Sequence, residues 1–266
     1  MDAKKITGVV ALVAIIGIGL VVWYLNRPAA EEASIENALE ALTPTEGPVD
    51  DVDAFAAGDA PTASPSESQA TEGEGGGNVA DVSGTWVVDT EIGEFDFADA
   101  TSTFAGFRVA EELQQVGQTE AVGRTPAVSG ELVIDGTTVT DVTVEADFTQ
   151  MVSDVPRRDD AMKRAMGVDA HPTGTFTLTQ PVDLGEIPAE GETITFTAVG
   201  DLTVNGMTNP VEVAVEAQIA DGNLLAVGRS PVVFADYGIQ APQAGPVISI
   251  ADEGTIELQL WFTPEA

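Results

Sequence analysis

TITFTAVGDLTVNGMTNPVEVAVEA, residues 193–217, is two alternating runs joined by Asn205-Gly206. On the first run Ile194, Phe196, Ala198, Leu202 and Val204 share a face, while Thr193, Thr195, Thr197, Asp201 and Thr203 fall opposite. A period of two marks a strand with one wet face. On the second run Val211, Val213, Val215 and Ala217 share a face, and Glu212 and Glu216 point the other way. Asn-Gly supplies the positive φ angles that a tight turn between twisted strands requires, with Met207 to Asn209 available to enlarge the loop. The stretch therefore predicts a β-hairpin.

The same logic extends outward on both sides. GTWVVD (84–89) and STFAGFRV (102–109) are rich in β-branched and aromatic residues and predict strands, with an acidic irregular stretch over 91–101 between them. Residues 121–134 supply one or two more strands before Asp135-Gly136 turns the chain. Residues 139–148 return with Val142, Val144, Ala146 and Phe148 on one face, making a second hairpin. PRRDDAMKRAM (156–166) changes character: Asp159 and Asp160 come early and Lys163 and Arg164 late, as the helix dipole favours. TFTLT (175–179), residues 223–234 after Asp221-Gly222, and residues 255–262 complete the strands. Eight to ten short strands with Gly-containing turns predict an all-β, antiparallel fold with one short helix. No strand-helix-strand alternation occurs, so a sandwich or a barrel remains.

Ahead of this domain the composition changes twice. Residues 6–25, ITGVVALVAIIGIGLVVWYL, carry no charge and are long enough to span a bilayer's hydrocarbon core of about 30 Å as a helix. Lys4 and Lys5 before the run and Trp23 and Tyr24 at its end predict a single-pass membrane anchor, amino terminus cytoplasmic and the remainder extracytoplasmic. A cleaved signal peptide is the competing reading, disfavoured by the long apolar run. The expected division is 1–27 for the amino terminus and anchor, 28–81 for an acidic disordered linker, and 82–266 for the folded domain. Within the linker, Ile35, Ala38, Leu39 and Leu42 sit at helical spacing and predict a short amphipathic helix beside the membrane.

Composition excludes several function classes. Ten Lys plus Arg against 44 Asp plus Glu give a formal net charge of -34, which repels phosphate backbones and argues against nucleic acid as a partner. With no cysteine and one histidine, His171, thiolate catalysis is impossible and a tight zinc or copper site is not expected. No nucleophile elbow accompanies His171, which reads as a polar loop residue or a rim packing group. No catalytic residues, metal or cofactor are therefore expected, and the protein is read as a non-enzyme. The apolar candidates for a cavity are Phe107, Phe148, Met151, Met162, Met166, Phe176, Phe196 and Phe234, with Met162 and Met166 as an adaptable lid. Arg157 and Arg158 with Asp159 are the charged group suited to an anionic headgroup, or else to an ion-paired helix start.

Taken in order, GTWVVD, STFAGFRV, RRDDAMKRAM followed by HPTGTFTLT, GDLTVNGMTNPVEV and FADYGI make residues 82–262 similar to the YceI-like family of polyisoprenoid-binding proteins. The resemblance implies a lipocalin-like antiparallel barrel with a helix packed on it, and an elongated apolar cavity for an isoprenoid chain. Carried over by position, it singles out Arg158, Asp159, Met162, Phe176 and Phe196. The chain departs from the family pattern where Ala161 stands in place of a histidine and His171 precedes Pro172 in place of a tyrosine. The expected function is a membrane-anchored, extracytoplasmic protein that sequesters or carries an isoprenoid or similar lipid. The alternatives are a filled barrel serving as an envelope interaction or scaffold domain, and a cofactor-free isomerase or hydrolase. Expected partners are the lipid and the membrane, and the resemblance also allows a homodimer.

Overall fold

The computed structural model describes residues 30–43, 82–114, 116–154, 156–241 and 247–265. Two helices occur there, α1 (Ile35–Leu39) and α2 (Pro156–Ala165). The first six strands are β1 (Gly84–Asp89), β2 (Phe104–Leu113), β3 (Gly117–Thr125), β4 (Val128–Asp135), β5 (Thr138–Asp147) and β6 (Val152–Ser153). The rest are β7 (Thr173–Leu178), β8 (Val182–Asp183), β9 (Thr193–Val204), β10 (Met207–Ala220), β11 (Asn223–Val233), β12 (Val247–Ile250) and β13 (Glu253–Pro264). The three strands beyond the eight to ten expected include β6 and β8, two residues each, too short to show a period in sequence.

All pairings are antiparallel, and the order β1-β4-β5-β7-β9-β10-β11-β13 closes on itself through β1 and β13, making an eight-stranded barrel. β13 is the strand that allows closure. One of its edges pairs with β11 from Leu224↔Phe262 to Val233↔Glu253. Its other edge pairs first with β2 at residues 255–259 and then with β1 at residues 261–264, so β2 and β3 widen the wall at one end. Closure gives each strand of the ring a neighbour on both sides, although only residues 200–203 of β9 pair with β7.

The β9–β10 hairpin is the longest ladder, running from Thr193↔Gln218 to Val204↔Met207. The loop is therefore two residues and no larger: Asn205 at φ 52° and Gly206 at φ 70° make the turn, and Met207 to Asn209 stay in the strand. Asp221-Gly222 closes the next hairpin in the same way. The Asn205-Gly206 tip is held from three sides. Asn205 Nδ2 donates to the Tyr237 carbonyl at 3.0 Å, Gly167 at the end of α2 abuts the Asn205 amide, and the His171 ring lies against Gly206. A Cβ on Gly206 would come within 2.5 Å of His171 Cε1 while forcing a branched residue into left-handed backbone. Gly206→Val is thus expected to cost about 1–3 kcal/mol, read as a lowered unfolding midpoint, and an unchanged midpoint would refute the stitched turn.

Two sequence expectations change at the amino-terminal side. The helix expected within 31–42 forms, as α1 followed by a 3-10 turn at Glu40–Leu42, but it lies on the barrel: Ala33 and Ala38 are fully buried. The disordered linker expected over 28–81 is thereby corrected for residues 30–43, which belong to the folded unit. The remainder of that stretch, 44–81, lies outside the described residues, as does the apolar run 6–25 expected to cross the membrane. Among the described residues no helix is long and apolar enough to cross a membrane.

Candidate functional site

Inward-facing residues of the ring leave two adjoining apolar spaces stacked along the barrel. The larger, about 530 Å³, lies under α2 and the end carrying the Asn205-Gly206 turn; the smaller, about 130 Å³, lies toward the β10–β11 turn. Position along β9 shows the order, since Leu202 and Val204 line the first and Ile194, Phe196 and Ala198 the second. Val144, Phe176, Val213, Gly228 and Leu258 border both and form a belt between them. The larger space alone falls in the range of small-molecule sites, about 300–1,000 Å³.

An open lumen depends on where the aromatic rings go, and here they lie against glycines of the wall. A Cβ on Gly123 would meet Phe107 Cε1 at 2.6 Å, on Gly174 Phe148 Cζ at 2.2 Å, on Gly200 Phe176 Cε2 at 2.5 Å, and on Gly254 Phe234 Cζ at 2.7 Å. Each ring occupies the volume a neighbouring side chain would have filled. The rings therefore coat the wall and leave the axis open.

α2 closes the larger space. Arg158, Ala161, Met162, Ala165 and Met166 line it, the i, i+3, i+4, i+7, i+8 stripe of an amphipathic helix. Met162 and Met166 are buried at this lid, and Ala161 and Ala165 keep it shallow. The helix is fixed by its outer residues: Asp159 Oδ1 accepts from Ser153 N at 2.9 Å and from Ser153 Oγ at 2.6 Å, and Lys163 Nζ donates to the Thr149 carbonyl at 2.7 Å.

Polar groups are few in the lining. Arg158 Nη2 donates to Glu111 Oε1 at 2.9 Å, and its Nη1 lies 3.2 Å from Asp154 Oδ1, so two carboxylates surround one guanidinium. Burial pushes the Glu111 carboxyl above its usual range, Arg158 pulls it back, and Asp154 adds to the rise. Tyr237, from the 3-10 turn Phe234–Tyr237, also borders the space, and burial pushes its phenol up, with Asp236 adding to the rise. The Tyr237 phenol is therefore protonated at neutral pH.

The structure thus brings Phe107, Phe148, Met151, Met162, Met166, Phe176 and Phe234 to the larger space and Phe196 to the smaller one. Arg158 reaches the lining; Asp159, by contrast, is directed to Ser153 at the helix start, and the Arg157 side chain lies outside what is described. Sequence reasoning missed Glu111. Its place on β2 on the same face as Phe107 and Val109, four and two residues away, puts it on the inward face, and that alternation was the available signal. His171 is exposed against Gly206, away from the lining.

Residues 62–262 match the YceI-like domain. Among solved structures, the polyisoprenoid binding domain from Saccharophagus degradans implicated in plant cell wall breakdown superposes with a TM-score of 0.53 at 14% identity, covering 68% of this chain and 98% of that one. Burkholderia cenocepacia BcnA gives 0.46 at 18% identity, covering 59% and 95%, and the Campylobacter jejuni YCEI protein gives 0.45 at 13%, covering 54% and 85%. No curated protein matches the chain in sequence.

Proposed function

The chain belongs to the YceI-like domain family, and from that premise we propose that its barrel binds a single long apolar chain of the isoprenoid class, held from the α2 end toward the β10–β11 end. The observation that carries this reading is the open lumen: about 530 Å³ lined by aromatic, methionine and aliphatic side chains, with a further 130 Å³ beyond the shared belt. A filled scaffold barrel would have no such space. The Saccharophagus domain, a polyisoprenoid-binding protein of the same fold, supports the ligand class. Transfer of each methylene into the lumen contributes about 0.8 kcal/mol, so chain length supplies the affinity and no covalent step is needed.

The headgroup is neutral in this reading. Arg158 is the cation of the lining among the described residues, and Glu111 and Asp154 already occupy it, so a phosphate would have to compete with two carboxyl groups for that guanidinium. The Tyr237 phenol and the Arg158–Glu111 pair suit an alcohol or a carbonyl better. Anchored by residues 6–25, the protein would present this site outside the cytoplasmic membrane, where it sequesters or carries the lipid.

The test is mass spectrometry of the denatured extract of residues 30–266 purified without detergent, followed by titration with a polyprenol and its phosphate. A stoichiometric isoprenoid, or saturable binding in which the alcohol is at least as tight as the phosphate, is expected. Failure of both lipids to bind would overturn the reading in favour of an interaction domain, and clear preference for the phosphate would overturn the neutral head.

A further inference from the structure

The outer wall of the barrel holds a second built site, unrelated to the lumen. Of the β13 residues facing away from the lumen, Glu257, Gln259 and Trp261 are almost wholly buried. What covers them is residues 30–42, together with the loop between β1 and β2. The wall grips this segment by its backbone. Arg108 Nη2 donates to the carbonyls of Ala30, at 2.9 Å, and Glu31; Arg124 Nη2 also donates to Glu31, and Arg229 Nη2 to Ala33. In return Gln259 Oε1 accepts from Ser34 N at 3.1 Å, and Glu257 Oε2 lies 3.4 Å from Ala33 N.

Ser34 then caps α1, its Oγ accepting from Asn37 N at 3.0 Å. The helix buries Ile35 and Ala38 in one apolar cluster with Phe104, Leu225, Val227 and Trp261, while Glu31, Glu32, Glu36 and Glu40 face solvent. Contacts to main chain and to small apolar side chains make the slot selective for an extended peptide leading into a short helix. Three of the seven arginines in this acidic chain serve it.

We infer that the outer wall is a peptide-binding site whose occupant is residues 30–42 of the same chain, and that this contact, independent of the peptide bond path through 44–81, holds the barrel to whatever precedes residue 30. Joined to the anchor proposed for residues 6–25, it has a spatial consequence. Five Cα steps separate Leu25 from Ala30, so the outer wall sits within about 17 Å of the end of the span, closer than a long linker would leave it.

The experiment uses the full chain in mild detergent, with a specific protease site replacing residues 62–68. After complete cleavage, the amino-terminal fragment and the barrel are expected to elute as one particle of monomer mass. Ile35→Asp, or Ala38→Arg as a second variant, should release the fragment on cleavage. Separation of the unsubstituted fragments would overturn the proposal. Co-elution of both variants would also overturn it, since the segment would not be the contact, and co-elution at dimer mass would overturn the assignment to the same chain. None of these readouts involves lipid, so they stand or fall separately from the function of the lumen.

Discussion

Glu257→Ala is expected to lower the unfolding free energy by about 3–5 kcal/mol, the cost of removing one partner from a buried charge cluster. Glu257 is 1% exposed and stands between two guanidiniums, with Oε2 at 2.9 Å from Arg108 Nε and Oε1 at 3.0 Å from Arg124 Nε. Without it, Arg124, itself fully buried, keeps hydrogen bonds to the carbonyls of Phe97 and Glu31 and a ring contact with Phe104, but loses its hydrogen-bonded carboxylate. Arg108 keeps Glu120, which is 42% exposed and screened by water. The variant also withdraws the acceptor nearest Ala33 N, so the amino-terminal segment should loosen. Urea unfolding followed by tryptophan fluorescence reads the change, because Trp261 is buried in the same wall. Glu257 projects away from the lumen, so isoprenoid affinity under native conditions should be unaltered. A loss below about 1 kcal/mol would mean that the cluster behaves as a hydrated surface pair.

Gly106 explains how this cluster can exist. In register it lies between Glu257 of β13 and Arg124 of β3, and the absence of a side chain lets Arg124 cross β2 to reach the carboxylate. A Cβ there would come within 2.5 Å of the Gly123 carbonyl and 3.0 Å of Arg124 Cγ. The STFAGFRV stretch thus works on both faces: Phe107 coats the lumen, while Gly106 and Arg108 build the outer slot.

How far the sequence could be read follows from which interactions are local. Alternation and Asn-Gly geometry are local, so the β9–β10 hairpin, the strand faces and the inward aromatics were legible, and α2 announced itself by the order of its charges. The glycines beneath the aromatic rings were not legible, because ring and glycine come from different strands and meet only through register. The outer slot was hidden for a stronger reason. Alternation assigns polar residues such as Glu257 and Gln259 to a wet face, and the segment that dries this face lies more than 200 residues earlier in the chain. Trp261 on that same face of β13 was a local sign that water is excluded there. Leu225 and Val227, on the outer face of β11 beside Arg229, repeat the sign.

Gly228→Leu is expected to divide the lumen in two. Gly228 borders both spaces, its backbone is extended so that any residue fits the main chain, and a Cβ there would meet Val213 Cγ1 at 3.0 Å and Leu258 Cβ at 3.7 Å. A leucine must therefore grow into the belt between Val213, Leu258 and Phe176, the boundary that a chain occupying both spaces has to cross. Overpacking should cost about 1–3 kcal/mol of stability, small enough to leave a folded barrel for measurement. The binding effect depends on ligand length. A lipid short enough for the larger space should keep its affinity, whereas excluding roughly four methylenes of a longer one from the smaller space removes about 3 kcal/mol, roughly 100- to 200-fold in Kd. Titrating a short and a long prenol against both proteins gives the ratio directly. Equal losses for the two lengths would mean only that the fold was damaged, and no loss for the long chain would mean that the ligand never passes the belt. A loss confined to the long chain would identify Gly228 as the residue whose missing side chain sets the length of ligand the barrel accepts.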